Sequence, residues 1–153
     1  MEPFASPDQI DQELKLFLGD VSARLCEWLS SASENGPLPI IKEIHDVEPK
    51  ENGLEPGKLI KDIVSIMDGA YQPSSPGSLA HLDPPPLTAS IAGDLISAGL
   101  NNNLLAEELS PSLTRLERSL CNWFAARLGM PKASGGVAAS GGTLSNLMAL
   151  VVA

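Results

Sequence analysis

The sequence predicts a mainly α-helical segment that runs into the beginning of an α/β domain. Three observations carry this. Apolar residues recur at spacings of three and four over long stretches, the signature of amphipathic helices. Clusters of proline, glycine and asparagine cut those stretches into separate helices. Near the end, Val137-Ala138-Ala139 can form a short strand, Ser140-Gly141-Gly142-Thr143 makes a turn, and a new apolar helix opens near Leu144, which is how an α/β layer starts.

The elements follow in order. Ser6 is placed to cap the first helix, Pro7 suits its first position and Gln9 completes a capping box. The apolar stripe is Ile10, Leu14, Phe17, Leu18, Val21, Leu25, Trp28 and Leu29, and Gly36-Pro37 ends it. Residues 34–55, with Pro37, Pro39, Pro49, Asn52 and Gly53, read as a loop. A second helix is expected from Gly57 to Tyr71, followed by a turn-rich connector from Gln72 to Ser78. Pro84-Pro85-Pro86 forces an extended run, and a helix from Leu87 to Gly99 stops at Asn101-Asn102-Asn103. The next helix takes Ser110 as cap and Pro111 at its first position. Leu113, Leu116, Leu120, Trp123, Phe124 and Leu128 should face inward, and Gly129 should supply a left-handed end before Pro131.

Composition bounds the function. The 153 residues are 43 % hydrophobic with only 4 % aromatic and a net charge of −9, which disfavours nucleic acid and anionic membranes as partners. The charge is uneven: fourteen acids and six bases lie in residues 1–75, against five and four in 76–153. The acidic half reads as a solvated helical surface and the near-neutral half as a covered one. Cys26 and Cys121 are expected to be free, buried thiols of a cytoplasmic protein, and no metal site is expected. The start, Met1-Glu2-Pro3-Phe4, lacks the layout of a signal peptide. No apolar run nears the ~20 residues that span a bilayer.

The turn at 140–143 is where chemistry enters. Strand, glycine turn and helix make a phosphate cup, because glycines let the backbone approach an anion and the free amides at the helix start point at it. The same small-residue turn also serves as plain packing. A nucleotide loop is disfavoured: Gly136 to Thr143 has a Walker-like glycine spacing, but Gly142 stands where the lysine is needed. A dinucleotide site is disfavoured too, with no Gly-x-Gly-x-x-Gly and no following acid. A single phosphate monoester fits better.

Three motifs then point to one family. Ser140-Gly-Gly-Thr-Leu-Ser-Asn146-Leu-Met-Ala-Leu150 closely resembles the Ser-Gly-Gly-Thr/Ser-x-x-Asn-x-x-Ala-Leu signature of the group II pyridoxal-phosphate-dependent amino-acid decarboxylases. His81-Leu82-Asp83-Pro84-Pro85-Pro86 is similar to the segment at the active-site mouth of bacterial members. NNNLLAEELSPSLTRLE, Asn101 to Glu117, resembles the family's linker and helix. The resemblance covers about residues 79–153, and residues 1–75 match only in helical character.

The resemblance implies a fold and a set of roles. The α/β domain that begins here would be of the pyridoxal-phosphate transferase type, like that of aspartate aminotransferase. Residues 1–78 would be a helical dimerisation layer, 79–133 a linker with helices lining the active site, and 134–153 the start of the cofactor domain. Gly141, Gly142 and Thr143 would hold the phosphate of pyridoxal 5'-phosphate, with Ser140 and Asn146 in support. His81, Leu82, Asp83 and Pro84 would line the pocket of the amino-acid substrate, and Asn103 to Leu105 would reach toward the neighbouring subunit. His81 also has a plain structural reading, and His45 reads as surface. Glu117 and Arg118 read as surface or ion-pair residues of their helix. The protein would be a homodimer through its N-terminal helices, the Ile10 to Leu29 stripe suiting that use or packing on its own subunit.

The implied reaction converts an L-amino acid to its amine and CO2. The Schiff-base lysine and the other catalytic groups would lie beyond position 153, so no catalytic residue is expected in this chain and it should be inactive alone. The bare apolar run Met148 to Ala153 supports the same expectation, a chain cut within a larger domain. The alternative is a stand-alone helical dimerisation module with no catalysis, or one half of a split enzyme.

Overall fold

The structure, a computed structural model, describes residues 2, 4–39, 51, 53–79 and 82–153. Among these residues there are helices and turns but no strand, and the chain divides into two compact units, 1–88 and 89–153. The predicted loop 34–55 and its His45 lie largely outside the described residues.

In the first unit, helix α1 runs Gln12–Ser30. Its cap is Asp11 and not Ser6: the Asp11 carboxylate accepts the Leu14 N–H at 2.9 Å. An aspartate there offers both an acceptor and a charge opposed to the helix dipole, and residues 7–9 only bend. The other end is also split. The hydroxyls of Ser30 and Ser31 take the carbonyls of Glu27 and Trp28, each at 2.8 Å, which competes with helix continuation. A short α2, Ala32–Asn35, then closes at Gly36 with φ +77.

Helix α3, Pro56–Asp68, packs on α1. Residues 13–20 of α1 share one groove with 55–60, and residues 24–31 share a second with 60–68. The two helices therefore run parallel, and residues 36–55 supply the long connection that a parallel pair needs. The α1 stripe from Leu14 to Leu29 is half-buried at each position, whereas Ile10 is exposed.

Gln72 locks this pair together. It is 5 % exposed. Its Nε2 donates to the Trp28 carbonyl at 3.1 Å, its backbone N–H donates to the Pro37 carbonyl at 2.9 Å, and its Oε1 accepts from the Ser74 N–H at 3.3 Å. One side chain thus joins the end of α1 to the turns after α3. The connector 72–78 is turns, as its prolines and serines predict, and Tyr71 and Ser78 share a hydroxyl–hydroxyl hydrogen bond across it.

In the second unit, α4 runs Thr88–Leu100 and stops where Asn101 turns left-handed, φ +44. Asparagine tolerates that conformation better than most residues. A 3-10 turn, Glu107–Leu109, leads into α5, Pro111–Arg127. Glu107 pairs with Arg118 at 2.9 Å across this junction. Ser110 sits at the cap position, yet its side chain makes no capping bond. Its carbonyl accepts both the N–H and the hydroxyl of Thr114, while its own hydroxyl, in a residue 1 % exposed, is buried with no partner among the described residues. At the other end Gly129, φ +72, forms a Schellman closure: Met130 N–H to Ala125 O at 3.0 Å and Gly129 N–H to Ala126 O at 3.2 Å.

Two expectations fail here. Leu116, Leu120, Trp123, Phe124 and Leu128 are exposed and not inward-facing. The covered face of α5 is instead Thr114, Glu117, Cys121 and Ala125, because the chain after α5 folds back along these smaller side chains. Cys26 is likewise exposed; both thiols are free, and only Cys121 is partly covered. The last helix, α6, is Gly142–Val152. No helix among the described residues is long and apolar enough to cross a membrane.

Gln72→Ala is expected to lower the stability of the first unit by about 1–3 kcal/mol, since it strips the buried side-chain link between the Trp28 carbonyl and the Ser74 turn. Urea unfolding followed by circular dichroism measures it; an unchanged midpoint would remove Gln72 from this role.

Candidate functional site

The site begins at the end of α5. After the Gly129 closure, a turn with Ser134 N–H on the Pro131 carbonyl at 2.9 Å reverses the chain. Residues 135–139 then pass along α5 without regular structure. The predicted strand at 137–139 does not form, because no second strand among the described residues pairs with it. A side chain takes the partner's place: Glu117 Oε1 accepts the Ala138 N–H at 2.9 Å. Two residues earlier, a Cβ on Gly136 would lie 3.1 Å from the Cys121 Cβ and 3.4 Å from its Sγ. Only a glycine fits there without displacement.

The chain next turns through Ser140 and Gly141. Gly141 has φ +156 and ψ 171, a conformation close to exclusive to glycine. It presents its carbonyl to the Ser145 N–H at 3.0 Å, and so starts α6. No side chain caps this helix. The amides of Gly142, Thr143 and Leu144, the first three of α6, therefore have no acceptor among the described residues.

These amides border a depression of ≈ 340 Å³ lined by Ser140, Gly141, Gly142, Thr143, Leu144 and Leu147. A Cβ on Gly141 or Gly142 would meet nothing within 4 Å, so the turn is open on the side-chain side of both glycines. Free amides at a helix start, two neighbouring hydroxyls and the helix dipole make a donor set that suits a small dianion such as a phosphate monoester. No lysine or arginine lines it. The residues present therefore fit a phosphate held by neutral donors.

The predicted site residues fall into three groups. Ser140, Gly141, Gly142 and Thr143 come together at the depression. Asn146 is exposed one turn further on and is not among the lining residues. Leu82, Asp83 and Pro84 belong to the first unit, in an extended and exposed run, with Leu82 101 % exposed. His81 lies outside the described residues. Asn103 closes a local turn, accepting the Leu105 N–H at 3.1 Å.

Sequence reasoning missed two residues near the site. Glu117 reads as surface or ion-pair, yet it holds a backbone amide 21 positions away. Gly136 reads as part of a failed nucleotide loop, yet it marks a close approach of the chain to the Cys121 side chain. The recoverable signal was the spacing of Thr114, Glu117, Cys121 and Ala125, a narrow stripe of smaller side chains on one face of a helix. No group of three or more metal-ligating side chains occurs among the described residues.

Comparison with known proteins identifies the class of this arrangement. Residues 40–153 match the model of the pyridoxal-dependent decarboxylase conserved domain, and the chain belongs to that family. The family's cofactor is pyridoxal 5'-phosphate. The chain is 23 % identical over 139 residues to an L-2,4-diaminobutyrate decarboxylase of Acinetobacter baumannii, covering 89 % of this chain and 27 % of that protein. It is 28 % identical over 104 residues to an aromatic-L-amino-acid decarboxylase of Bacillus atrophaeus, covering 67 % and 22 %. A phenylacetaldehyde synthase of Petunia hybrida is 31 % identical over 102 residues, covering 63 % and 20 %. The chain thus spans between a fifth and about a quarter of the length of these relatives.

Gly141→Ala is expected to destabilise the second unit by about 1–3 kcal/mol despite the open space around it, because an alanine cannot hold this φ and ψ without strain. Denaturant unfolding checks this. A neutral result would show that the turn relaxes freely.

Proposed function

We propose that this chain is the N-terminal part of a pyridoxal-phosphate-dependent amino-acid decarboxylase, a carboxy-lyase that turns an L-amino acid into its amine and CO2. The observation that carries this reading is the turn Ser140 to Thr143, which leaves three helix-start amides bordering an open depression. Gly142, Thr143 and Leu144 would bind the cofactor phosphate through their N–H groups, Ser140 and Thr143 would add hydroxyl donors, and Asn146 would support the turn from the next one. When bound, the cofactor supplies an electron sink for loss of the substrate carboxylate.

The chain's own work is to bind and orient. A phosphate fixed on rigid backbone amides anchors the ring at one end, so the reacting end can be placed by other residues. The substrate-facing roles of His81, Leu82, Asp83 and Pro84 remain part of this proposal, as do the division at residues 78 and 133 and the continuation into an α/β cofactor domain. The exposed apolar residues of α6, Leu147, Leu150 and Val151 among them, favour such a continuation, because a helix apolar on most sides needs cover. The α1 stripe, only half-buried against α3, favours a homodimer through the N-terminal helices.

The relatives' names leave the substrate among diaminobutyrate, aromatic amino acids and similar acids. An amine-release assay of the complete protein across glutamate, aspartate, diaminobutyrate and aromatic amino acids decides it, and release from none would sink the decarboxylase reading. Gly142→Asp is expected to weaken pyridoxal 5'-phosphate binding by about tenfold or more, since it sets a carboxylate against the phosphate. Equilibrium titration of the apoprotein by cofactor absorbance measures this, and unchanged affinity would remove the loop from phosphate binding.

A further inference from the structure

Two contacts join α5 to the run that enters the phosphate loop, and both come from one face of the helix. Glu117 Oε1 accepts the Ala138 N–H at 2.9 Å. One turn on, Cys121 abuts Gly136 so closely that a Cβ there would lie 3.1 Å from the Cys121 Cβ. The two contacts lie two residues apart on the run and four apart on α5. Ala138 is two residues before Ser140, where the turn begins.

This matters because the run has no strand partner among the described residues. A lone segment on a surface keeps much of its backbone freedom, and ordering it costs conformational entropy. The Ala138 amide would otherwise exchange its partner for water. Glu117 stands in for the missing strand, and Cys121 limits how far Gly136 can move.

We propose that Glu117 is a positioning residue for the phosphate loop. It fixes Ala138 so that Ser140, Gly141 and the first amides of α6 are held where a phosphate can meet them together. The inference rests on the phosphate reading of that loop but concerns a residue that touches neither cofactor nor substrate. Only the acceptor oxygen is required, so a carboxamide should serve as well as a carboxylate.

The test uses the complete protein in its apo form with three variants, Glu117→Ala, Glu117→Gln and Gly142→Asp. Hydrogen–deuterium exchange of the 134–143 peptide reads the clamp, and titrations with pyridoxal 5'-phosphate and with inorganic phosphate read the loop. Glu117→Ala should speed exchange of that peptide and weaken both ligands by about three- to tenfold, while Glu117→Gln restores both readouts. Equal exchange in parent and Glu117→Ala overturns the inference whatever the loop binds. Faster exchange with unchanged affinity overturns it too, because the loop then holds its shape without the clamp. Global loss of helical circular dichroism in Glu117→Ala also overturns it, since the bond would then hold the whole unit. Unchanged affinity in Gly142→Asp strikes the phosphate reading itself, and with it the purpose assigned to Glu117.

Discussion

Backbone groups that lack a secondary-structure partner dictate how both units are built. Few apolar side chains are buried: among the described residues, Ala32 and Ala125 are the apolar ones. With so little core, segments are located by who satisfies their orphan amides and carbonyls. Asp11 takes the Leu14 amide and starts α1, and Gln72 takes the Trp28 carbonyl and ties α1 to the turns beyond α3. Glu117 takes the Ala138 amide and holds the run before the glycine turn. In each case a side chain supplies what a neighbouring helix turn or strand would otherwise supply.

Unlike α1, α6 starts without a side-chain cap and with a glycine at the cap position, and the proposed function draws on this. Gly141 stands where a capping serine or aspartate would normally be. A capping side chain takes one of a helix's first amides and sets its own oxygen where an anion would sit. An uncapped helix, with glycines that add no side-chain bulk, leaves its donors and its dipole available. The same substitution explains the strained φ and ψ of Gly141 and the open space before Gly142. The unusual backbone at the turn and its proposed use for an anion both come from one choice of residue.

Exposed apolar surface has a different meaning in each unit. On α1 and α3 it flanks a parallel pair that already covers part of its stripes, and more cover is needed on the same face. On α5 and α6 the large side chains point away from the contacts that hold their unit together. Trp123 packs edge-to-face on Phe124, and Arg127 lies over the Trp123 ring, so even these exposed aromatics cover one another in part. The small-residue face of α5 is then left free to grip the loop-entering run.

Much of this was legible in the sequence. The turn at 140–143 and the positions of α3, α4, α5 and α6 follow from glycine and proline punctuation and from apolar spacing, which act locally, and the decarboxylase family follows from the motif at Ser140 to Leu150. Tertiary structure alone decided the rest. It made Asp11 the cap in place of Ser6, turned Leu116, Leu120 and Trp123 outward, exposed Cys26, and left 137–139 without a strand partner. It also gave Glu117 and Gln72 their tasks. The physical reason is common to these cases: a helix pattern states which faces are apolar, but the segment that packs against a helix selects the covered face. The spacing of Thr114, Glu117, Cys121 and Ala125 marks a face of α5, but which amide 21 residues away its carboxylate holds is settled only where the folded chain brings them together.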